Sequence, residues 1–265
     1  MQRPSEQQLQ TAFKSALAAV NAKKFALAAQ QFQKILRVVP NHGPSHLHLG
    51  TLYTKGSKPD AAVTHLAAAA KQMPKEPAVH MQYGVALGAV GQYKKAVSAL
   101  GKAEKLAPAS VAVLANSAHV YQLMGELKKA EFYLRKALKL QPNDGSLYRL
   151  LSIARKFTPD DPYLAKMLAI KPDQLANDTD RWELDFAITK ALEDTKAYEA
   201  AFPYLKRGND LVAANYPYDP QAWRDQVAQL QSAQSALDPA APHPDHIKDA
   251  PIFVTGMPRS GTTLI

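Results

Sequence analysis

The sequence predicts an all-α fold of stacked repeats, closed at its last fifteen residues by a change of pattern. Three observations predict it. Prolines fall at Pro40, Pro74, Pro108 and Pro142, each 34 positions after the last. Columns of small and apolar residues hold the same register. No alternating strand pattern interrupts them before Pro251.

The columns justify each element. Ala28, Ala62, Ala96 and Ala130 lie twelve residues before their prolines, followed by Phe32, Leu66, Leu100 and Leu134, then Ile35, Ala69, Ala103 and Ala137. Upstream, Ala16, Gly50, Gly84 and Ala118 recur, with Ala19, Tyr53, Leu87 and Tyr121 three positions on. These residues resemble the tetratricopeptide repeat, which implies a pair of antiparallel helices per unit and an α-solenoid overall. The physics agrees: small residues let the two helices approach, larger ones fill the gaps, and the proline stops the second helix. No unit can bury its apolar stripe alone, so neighbours share one core. Repeats are expected over 9–42, 43–76, 77–110 and 111–144.

Residues 145–178 keep the phase but lose the signature, interrupted by Pro159 and Pro162. Residues 181–212 are helical again, with Leu192, Tyr198, Ala201, Leu205 and Gly208 restoring the spacing of a degenerate repeat, and Trp182 as its packing anchor. A further helix is expected over 221–237, then a linker rich in Pro, His and Asp. The domain organisation is thus 1–144 for four repeats, 145–240 for a degenerate repeat and helical junction, 241–250 for a linker, and 251–265 for the start of a second domain.

Composition bounds the rest. The 265 residues are 46% apolar and 21% charged, ordinary for a folded soluble protein. Cysteine is absent, which excludes disulfides, thiol nucleophiles and thiolate metal sites. The longest alanine-rich run, residues 61–70, contains Thr64 and His65 and is too short to span a membrane; the polar N-terminus lacks the apolar core of a signal peptide. A cytoplasmic location is the expectation.

The net charge of +9 is unevenly spread: residues 1–178 carry 24 basic and 11 acidic side chains, the remainder 8 and 12. The register places Arg37, Lys71, Lys105 and Lys139 in the last turn of each second helix, where they complement its dipole. Lys94/Lys95 and Lys128/Lys129 stand at the start of that helix. No aromatic residues interleave with them as stacking platforms, so no nucleic-acid partner is expected.

The face of each first helix supplies a groove with Phe13, Leu17, Leu47, Thr51, Met81, Val85, Ala115, His119 and Gln122. It is apolar to mildly polar. Lys14 and Asn116 alone are too few for the cation-rich clamp of chaperone-binding repeats. His42, His46, His48, His65 and His80 suggest a metal site, but no carboxylate joins them at ligand spacing, and His46 and His48 face different ways on one helix. They read as helix-surface or packing residues, and the sequence predicts no metal. His243 and His246, in the linker, are no better placed.

Pro251-Ile252-Phe253-Val254-Thr255 reads as a short buried strand running into Gly256-Met257-Pro258-Arg259-Ser260-Gly261-Thr262-Thr263, with Leu264 and Ile265 opening a helix. Strand, glycine-bounded loop and helix form a phosphate cradle of backbone N–H groups. Gly256, Gly261 and Thr263 have the spacing of a nucleoside-triphosphatase loop, but Thr262 stands where that loop needs Lys, which disfavours ATP hydrolysis.

The string PIFVTGMPRSGTTLI instead resembles the 5′-phosphosulfate-binding loop of sulfotransferases that use 3′-phosphoadenosine 5′-phosphosulfate (PAPS). It is most similar to the bacterial group in which tetratricopeptide repeats precede a catalytic domain related to tyrosylprotein sulfotransferases. FAITKALEDTKAYEAAFPYLKRGN followed by YPYD, within residues 185–219, also resembles the junction in that group. The resemblance implies sulfuryl transfer from PAPS, without metal, to a protein or peptide hydroxyl, tyrosine among the candidates. It assigns the 5′-phosphate to the amides of residues 259–263, including Gly261, and to the hydroxyls of Ser260, Thr262 and Thr263. Arg259, permanently charged and bidentate, is the catalytic residue beside the sulfuryl group. The family's general base and 3′-phosphate site lie beyond the loop, so the 265-residue chain is expected to be an inactive fragment. The expected partner is a protein or peptide in the repeat groove, with no membrane and with homo-oligomerisation left open. The alternative is a non-enzymatic repeat scaffold.

Overall fold

The computed structural model describes residues 5–56 and 58–235. The chain divides into two compact units, Met1–Asn215 and Tyr216–Ile265. The described residues are all-helical, without strands.

The first unit opens with four helix pairs: α1 (Glu6–Asn21) with α2 (Phe25–Val38), α3 (Gly43–Lys55) with α4 (Pro59–Gln72), α5 (Pro77–Ala89) with α6 (Tyr93–Leu106), and α7 (Val111–Leu123) with α8 (Leu127–Leu140). We call the first helix of each pair helix A and the second helix B. Helices α3, α5 and α7 begin 34 residues apart, and α2, α4, α6 and α8 do the same. Each pair also packs on the next through helices B and A, and the buried apolar residues gather in four clusters along the first unit.

Local chemistry explains the boundaries. Ser5 caps α1 and forms a reciprocal capping box with Gln8. Ser110 caps α7, and the ring nitrogen of His42 caps α3 by accepting from the Ser45 amide. Pro59 and Pro77 occupy first-turn positions where a missing N–H costs nothing. Every helix B ends with the cap amide of Val39, Met73, Ala107 or Gln141 on the carbonyl of Ile35, Ala69, Ala103 or Ala137. The repeat proline follows and prevents continuation.

The turn inside each pair is equally regular. The amides of Lys24, Lys58, Gln92 and Glu126 bond the carbonyls of Ala19, Tyr53, Leu87 and Tyr121 at 2.9 Å. The residue before the amide adopts a left-handed backbone at Gly91 and Gly125, and at Lys23 with φ 56°. Packing follows the columns: Ala28, Ala62, Ala96 and Ala130 are wholly buried, and a β-carbon on Gly50 or Gly84 would stand 2.6 Å from Cγ of Leu66 or Leu100.

The register then breaks. α9 (Gly145–Ala154) begins in phase, but α10 (Pro162–Ala169) has eight residues where the other B helices have fourteen. A short 3₁₀ turn over Pro172–Gln174 leads to α11 (Asp178–Asp194) and α12 (Tyr198–Asn215). α9 packs chiefly against α11. The intervening segment is held by ions: Arg155 bonds Asp161, itself 4% exposed, and lies 3.1 Å from Glu131, while Asp194 accepts from the Phe157 amide at 2.9 Å.

α11 and α12 form the expected degenerate repeat. The Ala197 amide bonds the Leu192 carbonyl at 2.9 Å, reproducing the turn of the four regular pairs, and Lys196 takes the left-handed position with φ 62°. Trp182 is buried in α11, Ala201 is buried in α12, and Gly208 faces the Phe186 ring.

The second unit contributes one described helix, α13 (Pro220–Ser235), where the sequence predicts 221–237. Asp219 caps it by accepting from the Gln221 and Ala222 amides. The predicted strand at 251–255 and the loop after it lie outside the described residues, so the described fold carries the all-α part of the expectation alone.

Candidate functional site

Arg259, Ser260, Gly261, Thr262 and Thr263 also lie outside the described residues. The other expected site, the helix-A face of the repeats, is described throughout.

Phe13, Leu17, Leu47, Thr51, Met81, Val85 and Ala115 are all part-exposed on that face, and His119 is exposed. Phe13 is wedged between the Phe32 and His42 rings, with centroids at 5.8 and 5.3 Å. Thr51 returns its hydroxyl to the Leu47 carbonyl, and Gln122 donates to the Leu150 carbonyl at 2.7 Å. Gln122 therefore ties α7 to α9 and is spoken for, whereas the sequence places it in the groove lining.

Two residues extend the face that sequence reasoning omitted. Ile153, 53% exposed, continues the 34-residue column of Leu17, Thr51, Val85 and His119 into α9. Leu123, 46% exposed, closes the same face of α7. The period would have identified Ile153 had it been carried past residue 144.

The histidines are structural. His46 Nε2 and His80 Nε2 each lie 2.8 Å from a repeat-proline carbonyl, that of Pro40 or Pro74, and Tyr148 donates to Pro142 at 3.0 Å from the same position of α9. Because a carbonyl only accepts, neutral His46 carries its proton on Nε2, and its Nδ1 accepts from His65 Nδ1 at 2.9 Å. The ring centroids stand 5.1 Å apart. Burial, then the neighbouring His46, pushes the pKa of His42 and His65 down; burial alone lowers His48, whose ring stacks on Phe32. No cluster of three or more metal-ligating side chains exists among the described residues.

The cations stand where the register puts them. Arg37, Lys71, Lys105 and Lys139 occupy the last turns of α2, α4, α6 and α8. An ion contact joins two neighbouring units: Glu104 accepts from Lys136 at 2.5 Å and from the Tyr133 hydroxyl at 3.2 Å. Burial, reinforced by the Glu104 charge, pushes Tyr133 up to about 12. No described helix is long and apolar enough to cross a membrane.

Comparison with known proteins agrees with this geometry. Residues 89–154 match the family described as "Tetratricopeptide repeat". An uncharacterized protein of Aquifex aeolicus (strain VF5) is 39% identical over 83 residues, 30% of this chain, which spans about 10% of that relative's length. Among solved structures, PilF of Pseudomonas aeruginosa superimposes with a TM-score of 0.56 at 18% identity, over 84% of this chain and 98% of its own. A crystal structure of MamA protein gives 0.51 at 17% identity, over 80% and 96%. At such identities the likeness is one of fold. The helix pairs before residue 89 have the same period as the matched residues 89–154 and continue the same solenoid fold towards the N-terminus.

Proposed function

We propose that the first unit is a protein-interaction scaffold that holds an apolar segment of a partner along its helix-A face. The observation that carries this reading is the column Leu17, Val85 and Ile153 on the alternate A helices α1, α5 and α9, with Thr51 and His119 between them, flanked by Met81 and Leu123: apolar side chains that keep part or most of their surface in solvent. A partner side chain entering that face removes apolar area from water without disturbing the core, at about 25 cal/mol per Å² buried. Selection of binding peptides against the chain, followed by Leu123→Glu with Ile153→Glu, tests it. Both positions are exposed, so the double variant should fold and lose the selected peptides at least tenfold. Unchanged binding would sink the reading.

A second reading rests on the sequence of residues 251–265. The resemblance of its loop to the PAPS-binding loop makes Arg259 the residue beside the sulfuryl group and Ser260, Gly261, Thr262 and Thr263 the cradle of the 5′-phosphate, with PAPS as donor and a protein hydroxyl as acceptor. In this reading the scaffold presents the acceptor to the enzyme. Calorimetry of a longer chain read on past Ile265, with 3′-phosphoadenosine 5′-phosphate and with ATP, distinguishes it: the first should bind and weaken on Arg259→Ala, the second should not bind. Equal binding of both nucleotides would remove the PAPS assignment.

A further inference from the structure

The short α10 leaves space that the regular repeats fill. Between the C-terminal half of α8, the start of α9 and α10 lies an open cavity of about 490 Å³, within the usual range of ligand sites. Its floor is apolar: Leu138 and Tyr148 line it and are buried, and the Tyr148 hydroxyl is already committed to the Pro142 carbonyl. Its rim is cationic, with Arg135, Lys139 and Lys166, and no carboxylate lines it among the described residues.

Of the rim charges, Lys139 belongs to the recurring last-turn column of the B helices, whereas Arg135 is peculiar to this unit. Arg135 shares its 34-residue column with Gln33, Ala67 and Gly101, so a cation appears in that column only here. Arg135 is part-neutralised by Glu131 at 2.7 Å. Lys139 and Lys166 form no ion pair among the described residues, and Lys166 Nζ instead lies 4.9 Å from the centre of the Tyr163 ring, which the Arg135 guanidinium also approaches at 5.6 Å. Two ammonium groups with no carboxylate partner among the described residues, beside an aromatic and aliphatic floor, match a ligand that is anionic at one end and apolar at the other.

We infer that this cavity binds an acidic peptide segment, its carboxylate between Lys139 and Lys166 and an adjoining apolar side chain on Leu138 and Tyr148. Carboxylate is the anion an unmodified polypeptide carries, and the inference rests on the reading of the chain as a protein scaffold. It concerns helix-B residues, however, and not the helix-A face, so it supplies a second point of contact with its own charge preference.

The test is fluorescence anisotropy of the full 265-residue chain with a labelled peptide of repeated Glu-Glu-Leu-Phe units, at low and physiological salt. Lys139→Glu with Lys166→Glu should weaken binding at least tenfold. Lys94→Glu with Lys128→Glu, the same charge change on exposed starts of helix B away from the cavity, should stay within twofold. All four lysines are exposed, so the variants should fold, with circular dichroism as the check. No binding by the wild type, equal loss in the two double variants, or equal binding of the Gln-for-Glu peptide would each overturn the inference. The helix-A variants Leu123→Glu with Ile153→Glu should leave this peptide's affinity unchanged; if they abolish it, the cavity assignment falls while the scaffold reading stands.

Discussion

A β-carbon on Gly145 would stand 1.9 Å from the carbonyl oxygen of Asp180, so the first turn of α9 lies directly on the first turn of α11. At this contact the molecule departs from its 34-residue rule, α11 replacing the truncated α10 as the neighbour of α9. The obstacle is backbone and cannot rotate away. Gly145→Ala should therefore destabilise the unit by about 1–3 kcal/mol or more, as overpacking against a fixed neighbour does. Gly101→Ala should do the reverse: nothing lies within 4 Å of its β-carbon, and alanine favours helix over glycine by up to about 1 kcal/mol. Urea midpoints of the two variants, moving in opposite directions, check the contact.

Gly145 also shows what the sequence could and could not convey. Its place in the 34-residue column was legible, and with it the starts of α3, α5, α7 and α9. The register predicted the turns, the buried alanine columns and the cations of the last turns because each unit repeats the same local problem. Local spacing carries no information on long-range substitution of one neighbour by another, so the α9–α11 contact was not legible. The short α10 could be suspected from Pro159 and Pro162, but the cavity beside it depends on where α8 and α9 end in space. The pairing of His46 with His65 joins residues nineteen positions apart on two helices; the column arithmetic relates His46 to His80 and is silent on His65.

The left-handed turn residues give a stabilising prediction. Gly91 and Gly125 hold that conformation without penalty, but Lys23 and Lys196 carry a β-carbon in the same backbone shape. The cost for an L-residue is about 1–2 kcal/mol, offset in part by the larger unfolded-state freedom of glycine. Lys23→Gly and Lys196→Gly should each stabilise by about 0.5–1 kcal/mol, raising Tm by about 2 °C. Gly125→Ala should lower it. A Tm that falls in both lysine variants would refute the strain.

Acid should loosen the first two repeats before the others. His42, His48 and His65 all have folded pKa values below the ordinary 6.5, with burial as the main cause, whereas an unfolded chain protonates them near 6.5. Below that value the unfolded state binds more protons, so stability is full above about pH 6.5 and falls as the pH drops towards the folded values. Amide exchange at pH 7 and pH 5 should show opening of α1 to α4 increasing on acidification, with α5 to α8 little changed. Equal acceleration across all eight helices would contradict this origin.

The buried carboxylate of Asp185, 2% exposed, is held by the Arg207 fork, with Nε donating to Oδ2 at 2.7 Å and a terminal nitrogen donating to Oδ1. The pair joins α11 to α12 beside the Gly208–Phe186 contact, and the aspartate raises the pKa of the guanidinium. Arg207 is itself over half exposed, so the attraction between the two is screened and the pair contributes little net stability. Removing one partner is a different matter. Arg207→Ala strands a buried acceptor, at a cost of about 1–3 kcal/mol, whereas Asp185→Leu with Arg207→Leu removes both polar groups and should recover most of the loss. The double variant should therefore lie above Arg207→Ala in urea midpoint. If it lies below, Asp185 and Arg207 stabilise the final pair by direct attraction, and the desolvation argument fails.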